Sequence, residues 1–232
     1  MDKAEKRLAI IPARGGSKRI PGKNYIDFLG KPIIAYSIEM ALSSALFDVV
    51  MVSTDDEKIA SIAKKYGATV PFMRSTKNSD DHATDMDVIF EVLNDYKQRE
   101  MHFDQICCIY PTAPLMQITD LQTGLKKLHE NKFSIVYPVV KFSYTVWRGL
   151  SMKEDGELKM IWPEYENSRS QDLQPVYHDA GQWYWFDAKK MNDLSNAGSI
   201  LLSEENVQDI DNLSDLKLAE MKYELRERKK SK

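Results

Sequence analysis

The residues best suited to chemistry form a basic, glycine-rich loop near the start of the chain. Gly15 and Gly16 carry no Cβ, so their backbone amides can turn inward and approach an anion closely. Hydrogen-bond donors and positive charges surround them: Arg14, Ser17, Lys18, Arg19 and Lys23. This combination predicts phosphate binding, and a glycine-rich surface turn with solvated lysines is the alternative.

Two common nucleotide-binding motifs do not match this loop. A Walker loop has four residues between its glycines and a Ser or Thr after its lysine. Here five residues separate Gly16 from Gly22, and Asn24 follows Lys23. The dinucleotide-binding pattern GxGxxG is also missing from the sequence. The residues alone therefore predict an anion-binding loop after a first strand.

Two aspartates late in the chain could hold a metal ion against a bound phosphate. Asp209 and Asp211 lie two positions apart, and such positions point to the same side of an extended segment. Because Mg²⁺ prefers carboxylate oxygens, the pair predicts a magnesium site. Turn formation or helix capping is the alternative, since a helix is expected to begin close to Asp211.

Further polar side chains are expected where strands end. Arg74 and Thr112 each follow a predicted strand. In a doubly wound sheet the loops at the carboxyl ends of the strands line the ligand crevice. Arg14, Arg74 and Thr112 are therefore expected to meet there, and a surface ion pair is the alternative for Arg74.

The elements that position these residues alternate between strand and helix. Helices are predicted after Gly30-Lys31-Pro32, before Gly67, and at two capping boxes that pair Thr84 with Asp87 and Thr119 with Gln122. Strands are predicted at 8–11, 49–53, 69–73, 105–110, 134–140, 182–186 and 200–203. The alternation predicts an α/β fold, a three-layer α/β/α arrangement around a mostly parallel sheet.

The alternation stops over residues 141–175. Strands at 142–150 and 158–162, joined through Glu154-Asp155-Gly156, predict a β-hairpin insert. The insert could be a dimerisation arm, a lid over a substrate, or an edge hairpin that covers the core. Residues 1–232 are otherwise interpreted as one domain, whose last helix begins at Ser214 and frays into a solvated, charged tail.

Composition limits the function classes. The net charge of −3 argues against non-specific nucleic-acid binding, so the partner of the basic loop is expected to be a small anion. No apolar run approaches a membrane span or a secretory signal, which favours a cytoplasmic protein. The two adjacent cysteines, Cys107 and Cys108, suit a reducing compartment and neither a disulfide framework nor a zinc site.

Residues 11–24, IPARGGSKRIPGKN, resemble the signature of the sugar-activating cytidylyltransferases, which use CTP to make CMP-linked nine-carbon acidic sugars. The resemblance implies a Rossmann-like fold of the nucleotide-diphospho-sugar transferase type and a homodimer. It also implies that the aspartate pair Asp209 and Asp211 binds Mg²⁺. It implies catalytic roles for Arg14, Lys23 and Asp211, and places Arg74 near the cytosine or ribose. The full set implied at CTP is Ala13, Arg14, Gly15, Gly16, Ser17, Lys23, Asn24, Arg74 and Thr112.

Three further segments resemble the branch of this family that acts on pseudaminic acid. They are YPTAPL at 110–115, WPEYENSRSQDL at 162–173 and HDAGQWYWF at 178–186. Sialic acid synthetases typically carry Gln in place of Tyr110 and Arg in place of Met116. The resemblance therefore implies pseudaminic acid as the acceptor, with sialic and legionaminic acids as alternatives. The residues expected at the sugar are Tyr110, Arg148, Arg169, Gln171, His178, Gln182 and Tyr184.

The chemistry of an acidic amino sugar agrees with part of this set. Its carboxylate requires a cation, which Lys141, Arg148 or Arg169 could provide. Its acylamino groups require hydrogen-bond partners, but strand alternation allows only every second residue from Gln182 onward to face a ligand. His178 could instead be a structural histidine.

Two other functions remain open at this point. A glycosyltransferase of related fold would also use an Asp-x-Asp pair but would bind a nucleotide-sugar, and the basic N-terminal loop argues against it. A non-catalytic nucleotide-binding protein would bind CTP without metal and without turnover.

Overall fold

The computed structural model describes residues 5–230. The strands in this range are β1 (Arg7–Pro12), β2 (Asp27–Phe28), β3 (Lys31–Pro32), β4 (Val49–Ser53), β5 (Gln105–Ile109), β6 (Ile135–Lys141), β7 (Leu150–Met152), β8 (Leu158–Met160), β9 (Tyr177–Asp179), β10 (Trp183–Asp187) and β11 (Ala197–Leu202). The α-helices are α1 (Ile33–Ser43), α2 (Glu57–Lys65), α3 (Asp85–Gln98), α4 (Ile118–Glu130) and α5 (Leu213–Lys230).

A seven-stranded sheet runs through the middle of the fold. Its order is β11-β6-β10-β5-β1-β4, and the short β9 pairs with β6. β1 is parallel to β4 and β5, and β6 is parallel to β11. β10 is antiparallel to both of its neighbours, and β9 is antiparallel to β6. All strands of this sheet except β9 and β10 therefore point the same way, which confirms the mostly parallel α/β prediction.

Helices cover both faces of the sheet. Ile11 of β1 lies in an apolar cluster with Ile34 of α1 and Leu121 of α4. The neighbouring Ile10 lies in a second cluster with Ile89 of α3. Because successive residues of a strand point to opposite faces, this division confirms the three-layer arrangement. The packing fixes the carboxyl ends of β1, β4 and β5 side by side.

Some local predictions are confirmed and others are wrong. The capping box of Thr84 and Asp87 is present, and Gly67 follows α2 with φ +95°. No strand forms at 69–73 in the described structure, where Thr69 makes only an isolated bridge to Met51. Pro71 lies inside that run and removes a donor that a ladder needs.

Two helix ends also differ from prediction. α4 begins at Ile118 after Gln117, with no side-chain cap, so Thr119 lies within the first turn and the predicted capping box is wrong. α5 continues through the charged tail to Lys230. Ion pairs such as Lys229 with Glu205 and Arg228 with Glu224 line this part of the helix, which explains why it does not fray there.

The insert forms a hairpin that is shorter than predicted. β7 and β8 pair around a turn in which Gly156 has φ +88°. Trp147 contacts Trp162 at a ring-centroid distance of 5.6 Å. Other apolar side chains of the insert point to solvent, including Tyr144 (89% exposed) and Met152 (74% exposed). No helix among residues 5–230 combines the length and apolar character that a bilayer span requires.

Candidate active site

A cleft of about 540 Å³ lies at the carboxyl ends of β1, β4 and β5. Its lining includes eight of the residues predicted from the sequence, on segments that are far apart in the chain. These are Arg14, Ser17, Lys23, Asn24, Arg74, Tyr110, Thr112 and Asp211. The structure therefore brings together the basic loop, both strand-end residues and one of the two late aspartates.

The basic loop is fastened to the fold by its own backbone. Asn24 is buried and donates its side-chain amide to the Arg14 carbonyl at 2.9 Å. The Gly15 amide donates to Asp55 Oδ1 at 2.9 Å. A Cβ at Gly15 would lie 2.8 Å from Asp56 Oδ2, so only glycine allows this approach. The Gly15 amide, predicted to face an anion, thus contacts a protein carboxylate in the free chain.

Carboxylates neutralise the cations of the loop. Arg14 Nη1 donates to Asp81 Oδ1 at 2.7 Å and to the Asp80 carbonyl at 2.8 Å. Lys18 forms an ion pair with the same Asp81 carboxylate. Hydrogen bonds from Lys18 and then Arg14 hold the pKa of Asp81 below its usual value. Asp81 therefore occupies the positive charges that a phosphate would use.

Arg74 is a buried residue rather than part of a surface ion pair. Its side chain is anchored at the end of β4, where Nε donates to Ser53 Oγ at 3.0 Å and Nη2 donates to the Ser53 carbonyl. Burial lowers the pKa of the Arg74 guanidinium from its ordinary value. The surroundings of β4 thus fix its orientation at the edge of the cleft.

Asp211 faces the cleft because other residues cap α5. Asn212 Oδ1 accepts hydrogen bonds from the amides of Ser214 and Asp215, and Asp215 Oδ2 accepts from the amides of Asp211 and Asn212. The Asp211 carboxylate is left to pair with Arg19 and to lie 3.6 Å from Lys23 Nζ. Capping is therefore not its role.

The candidate metal site offers one carboxylate from the cleft lining, too few protein ligands to hold a metal ion without a bound substrate. Asp209 is exposed and does not line the cleft. No group of three or more His, Cys, Asp or Glu side chains within residues 5–230 is arranged to hold a metal by itself. Mg²⁺ at nucleotide sites commonly takes one or two carboxylates together with phosphate oxygens and waters. Asp211 fits such a partial site, which a bound nucleotide would complete.

Tyr110 lines the cleft, and its ring packs against Tyr184 of β10 behind it. Tyr110 donates its hydroxyl to Asp85 Oδ2 at 2.6 Å, and Tyr184 donates to Asp179 Oδ2 at 2.7 Å. Their ring centroids lie 5.4 Å apart. Burial raises the pKa of both phenols, reinforced by Asp85 at Tyr110 and by Tyr110 at Tyr184. Both hydroxyls therefore keep their protons at neutral pH.

The other residues predicted at the sugar, Tyr184 included, do not line this cleft. Arg148, Arg169 and Gln171 are exposed in the insert. The exposed His178 has its Nδ1 2.8 Å from the Asp179 carbonyl and its ring against Phe142. Gln182 is buried and donates Nε2 to the Asn206 carbonyl at 2.7 Å. Their sugar-binding roles remain predictions.

Ala13, Gly15 and Gly16 also lie outside the cleft lining, although they belong to its loop. Ala13 is fully buried and donates its amide to the Ser53 carbonyl at 2.9 Å. Met116, the second position that separates this sequence from sialic acid synthetases, is 1% exposed within the core. Ala13 and Met116 thus support the loops on either side of the cleft.

The sequence interpretation misses several acidic and amide residues of the cleft. Asn78, Asp80, Asp81 and Asp85 all line it, yet the pattern around Asp80 and Asp81 indicates only caps and loop residues. Only their place in the sequence could have indicated them, because they follow Arg74 in a polar segment at the same edge of the sheet. That segment folds back over the basic loop.

Sequence comparisons agree with these features. The profile of the family described as cytidylyltransferase matches residues 8–201. The chain is 40% identical over 225 residues to a pseudaminic acid cytidylyltransferase of Campylobacter jejuni, covering 95% of this chain and 97% of that one. It is 33% identical over 190 residues to a CMP-N,N'-diacetyllegionaminic acid synthase of Legionella pneumophila, covering 79% of each chain.

Solved structures share the fold. A CMP:2-keto-3-deoxy-manno-octonic acid synthetase complexed with CTP matches with a TM-score of 0.70 at 18% identity, covering 95% of this chain and 99% of that one. A 4-diphosphocytidyl-2C-methyl-D-erythritol synthase from Anaerococcus prevotii matches with a TM-score of 0.65 at 15% identity, covering 96% and 100%. At these identities the similarity establishes the fold alone.

Proposed function

The chain belongs to the cytidylyltransferase family, and from this premise we propose that it couples CTP to pseudaminic acid, a nine-carbon acidic sugar, and releases pyrophosphate. The observation that carries the proposal is the single cleft that gathers Arg14, Lys23, Arg74 and Asp211. The 40% identity to the Campylobacter jejuni enzyme over nearly the full length of both chains supports the acceptor.

The proposed reaction is a displacement at the α-phosphorus of CTP. The anomeric oxygen of the sugar forms a bond to the α-phosphorus, and the hydroxyl proton passes to solvent. The bond from the α-phosphorus to the oxygen that bridges to the β-phosphate breaks, and pyrophosphate leaves. Catalysis of this kind depends mainly on positioning and charge stabilisation. Arg14, Ser17 and Lys23 of the basic loop are suited to neutralise the charge that develops on the leaving group.

The nucleoside end is proposed to lie near Arg74. Its two hydrogen bonds to Ser53 remove most of its rotational freedom, so its remaining donors are already oriented when CTP arrives. Thr112, after β5, is the proposed second contact, and Asn24 acts at least by holding the Arg14 carbonyl.

We propose that Asp211, with Asp209 as a second ligand, holds a divalent cation, most simply Mg²⁺. When bound, such a cation supplies charge neutralisation at the phosphates and Lewis-acid polarisation of the phosphoryl group. Asp211 Oδ1 lies 3.6 Å from Lys23 Nζ on the cleft, so a cation held there would lie beside the lysine that is proposed to contact the phosphates.

A homodimer is proposed for the whole protein. The insert exposes Tyr144, Met152 and Leu158 at 89%, 74% and 56%, and water-exposed apolar groups of this size within one insert favour an interface. Arg148 and Arg169 of the same insert are the proposed ligands of the sugar carboxylate.

The proposal is tested by incubating the protein with CTP and Mg²⁺ and each of three acids, pseudaminic, sialic and legionaminic, while pyrophosphate is measured. Release with pseudaminic acid alone is the expected result. Release with another acid instead would uphold cytidylyl transfer and contradict pseudaminic acid as the acceptor. Binding of CTP without any release would favour a non-catalytic nucleotide-binding protein, and a glycosyltransferase would likewise release no pyrophosphate from CTP.

A further inference from the structure

Tyr110 is held in place at every polar group it owns. Its amide donates to the Gln182 carbonyl at 2.8 Å, and its carbonyl accepts from Ser37 Oγ at 2.8 Å. Its hydroxyl donates to Asp85 Oδ2 at 2.6 Å, and its ring lies against that of Tyr184. The side chain therefore presents one fixed orientation to the cleft.

The Asp85 contact sets the hydrogen-bond polarity of the hydroxyl. A phenol has a single proton to donate, and an ionised carboxylate can only accept. Because the proton of Tyr110 is directed to Asp85, the oxygen offers only lone pairs to anything in the cleft. An approaching carboxylate or phosphate oxygen would be repelled there, whereas an N–H or O–H group would be bound.

We propose that Asp85 is a positioning residue for acceptor choice, which fixes Tyr110 as a hydrogen-bond acceptor for a neutral donor group of the sugar, an acylamino N–H or a hydroxyl. This inference rests on the proposed function. It goes beyond that function by assigning Asp85 a role, by giving the polarity of Tyr110, and by excluding the sugar carboxylate from this part of the cleft.

Asp85 lies in the same cleft as Arg74, whose pKa its charge raises against the effect of burial, so KM for CTP must be measured beside KM for the sugar. Asp85 is the first residue of α3, which starts at the capping box of Thr84 and Asp87. That cap places the carboxylate rigidly at the edge of the cleft beside Tyr110, the residue that directly follows β5. Arg14, which is proposed to contact the phosphates, is paired with Asp81 and not with Asp85.

The test measures steady-state kinetics of pyrophosphate release for Asp85→Asn, Tyr110→Phe and the double variant. The side-chain amide of an asparagine can donate to the Tyr110 oxygen, and the hydroxyl hydrogen of Tyr110 can then point into the cleft. Tyr110 would no longer act as an acceptor for the sugar, so Asp85→Asn is expected to raise KM for the sugar about tenfold. KM for CTP is expected to stay within about twofold. Adding Asp85→Asn to Tyr110→Phe is expected to change nothing further, because Asp85 acts through the missing oxygen.

Two controls accompany these variants. Asp95 lies on the same helix and forms no side-chain hydrogen bond or ion pair within residues 5–230, so Asp95→Asn is the matched control and should leave all constants unchanged. Asp85→Glu keeps a carboxylate and should retain more sugar affinity than Asp85→Asn. Thermal melting of each variant verifies folding.

The outcomes separate the inference from the proposed function. The inference would be overturned if Asp85→Asn left KM for the sugar unchanged or raised KM for CTP instead. It would also be overturned if the double variant had a higher KM for the sugar than Tyr110→Phe. In each case turnover by the wild-type protein would still uphold the proposed function. A wild-type protein that releases no pyrophosphate with any of the acids would overturn the proposed function and the inference together.

Discussion

At the scale of single residues, the cleft pairs cations with carboxylates before any nucleotide arrives. Arg14 and Lys18 pair with Asp81, while Arg19 and Lys23 pair with Asp211. A triphosphate that enters must exchange these contacts for its own. The two aspartates differ in their effect on a bound nucleotide, because Asp211 can join a metal that also binds phosphate, whereas Asp81 can only compete with it.

Asp81→Asn is therefore expected to strengthen CTP binding. The change keeps the shape of the side chain and removes the charge that occupies Arg14 and Lys18. KM for CTP should fall about twofold to fivefold, the range typical of exposed ion pairs. Asp80→Asn is the matched control, since Asp80 binds Arg14 through its carbonyl while its carboxylate accepts from the amides of His82 and Ala83. A KM that rises in Asp81→Asn would contradict the competition.

The site residues that the sequence predicts lie near strand ends, whereas those that it misses reach the cleft through long-range loop contacts. Arg14 and Thr112 follow β1 and β5, so the topology of a parallel sheet brings them together. Arg74 follows no strand and joins them through its hydrogen bonds to the end of β4. Asp81 and Asp85 reach the cleft only because a polar loop folds back onto the basic loop. That return depends on contacts across about seventy residues of sequence, such as Arg14 with Asp81, which local patterns do not encode.

At the scale of elements, the antiparallel strand β10 places its first residues beside the carboxyl end of β5. Because β10 is antiparallel to β5, Trp183 pairs with Ile109 and the start of β10 lies at the carboxyl end of β5. This brings Tyr184 beside Tyr110, which lines the cleft. Alternation also buries Trp183 and Trp185 on the opposite face, as the sequence predicts for this aromatic run.

Arg226 of α5 supports the loop after β5. Arg226 Nη1 donates to the Leu115 carbonyl at 2.6 Å and Nη2 donates to the Pro114 carbonyl at 3.4 Å. The sequence indicates only a solvated tail here, because a contact between residues 115 and 226 leaves no local pattern. The end of α5 is thus part of the architecture of the cleft.

Arg226→Ala should lower the free energy of unfolding by about 2 kcal/mol, as expected when a largely buried guanidinium stops bonding two carbonyls. KM for CTP should rise in parallel, because the loop carries Thr112. Urea denaturation and steady-state kinetics measure both effects. Arg228→Ala, an exposed change on the same helix, should alter stability by less than about 0.5 kcal/mol. Equal losses in the two variants would rule out the loop contact.

At the scale of the whole molecule, one face of the hairpin insert has no covering element among the described residues. Met152 and Leu158, on its two strands, are 74% and 56% exposed. The sequence predicts an apolar insert but leaves its purpose open among an arm, a lid and an edge hairpin. Met152 and Leu158 themselves do not cover the core of their own chain, and the purpose of the insert stays a prediction.

Introducing charge into the hairpin is expected to break the proposed homodimer. Wild-type protein should have the mass of a dimer in solution, and a Met152→Asp, Leu158→Asp double variant should shift toward the monomer, because unpaired charge in an apolar interface is costly to desolvate. Light scattering after gel filtration measures the mass. Met221→Asp, at a 60% exposed position of α5, is the control. Loss of the dimer in that variant alone would place the interface on α5.

The most direct test of the central claim, that cytidylyl transfer occurs in the cleft at the ends of β1, β4 and β5, compares wild-type protein with Asp211→Asn. Pyrophosphate release is measured with CTP, Mg²⁺ and pseudaminic acid. Wild-type protein should release one pyrophosphate for each CMP-sugar formed, and the variant should lose at least about a hundredfold in turnover with an unchanged melting temperature, as when a charged group that stabilises a transition state is removed. An Asp211→Asn variant that turns over at the wild-type rate would contradict the account.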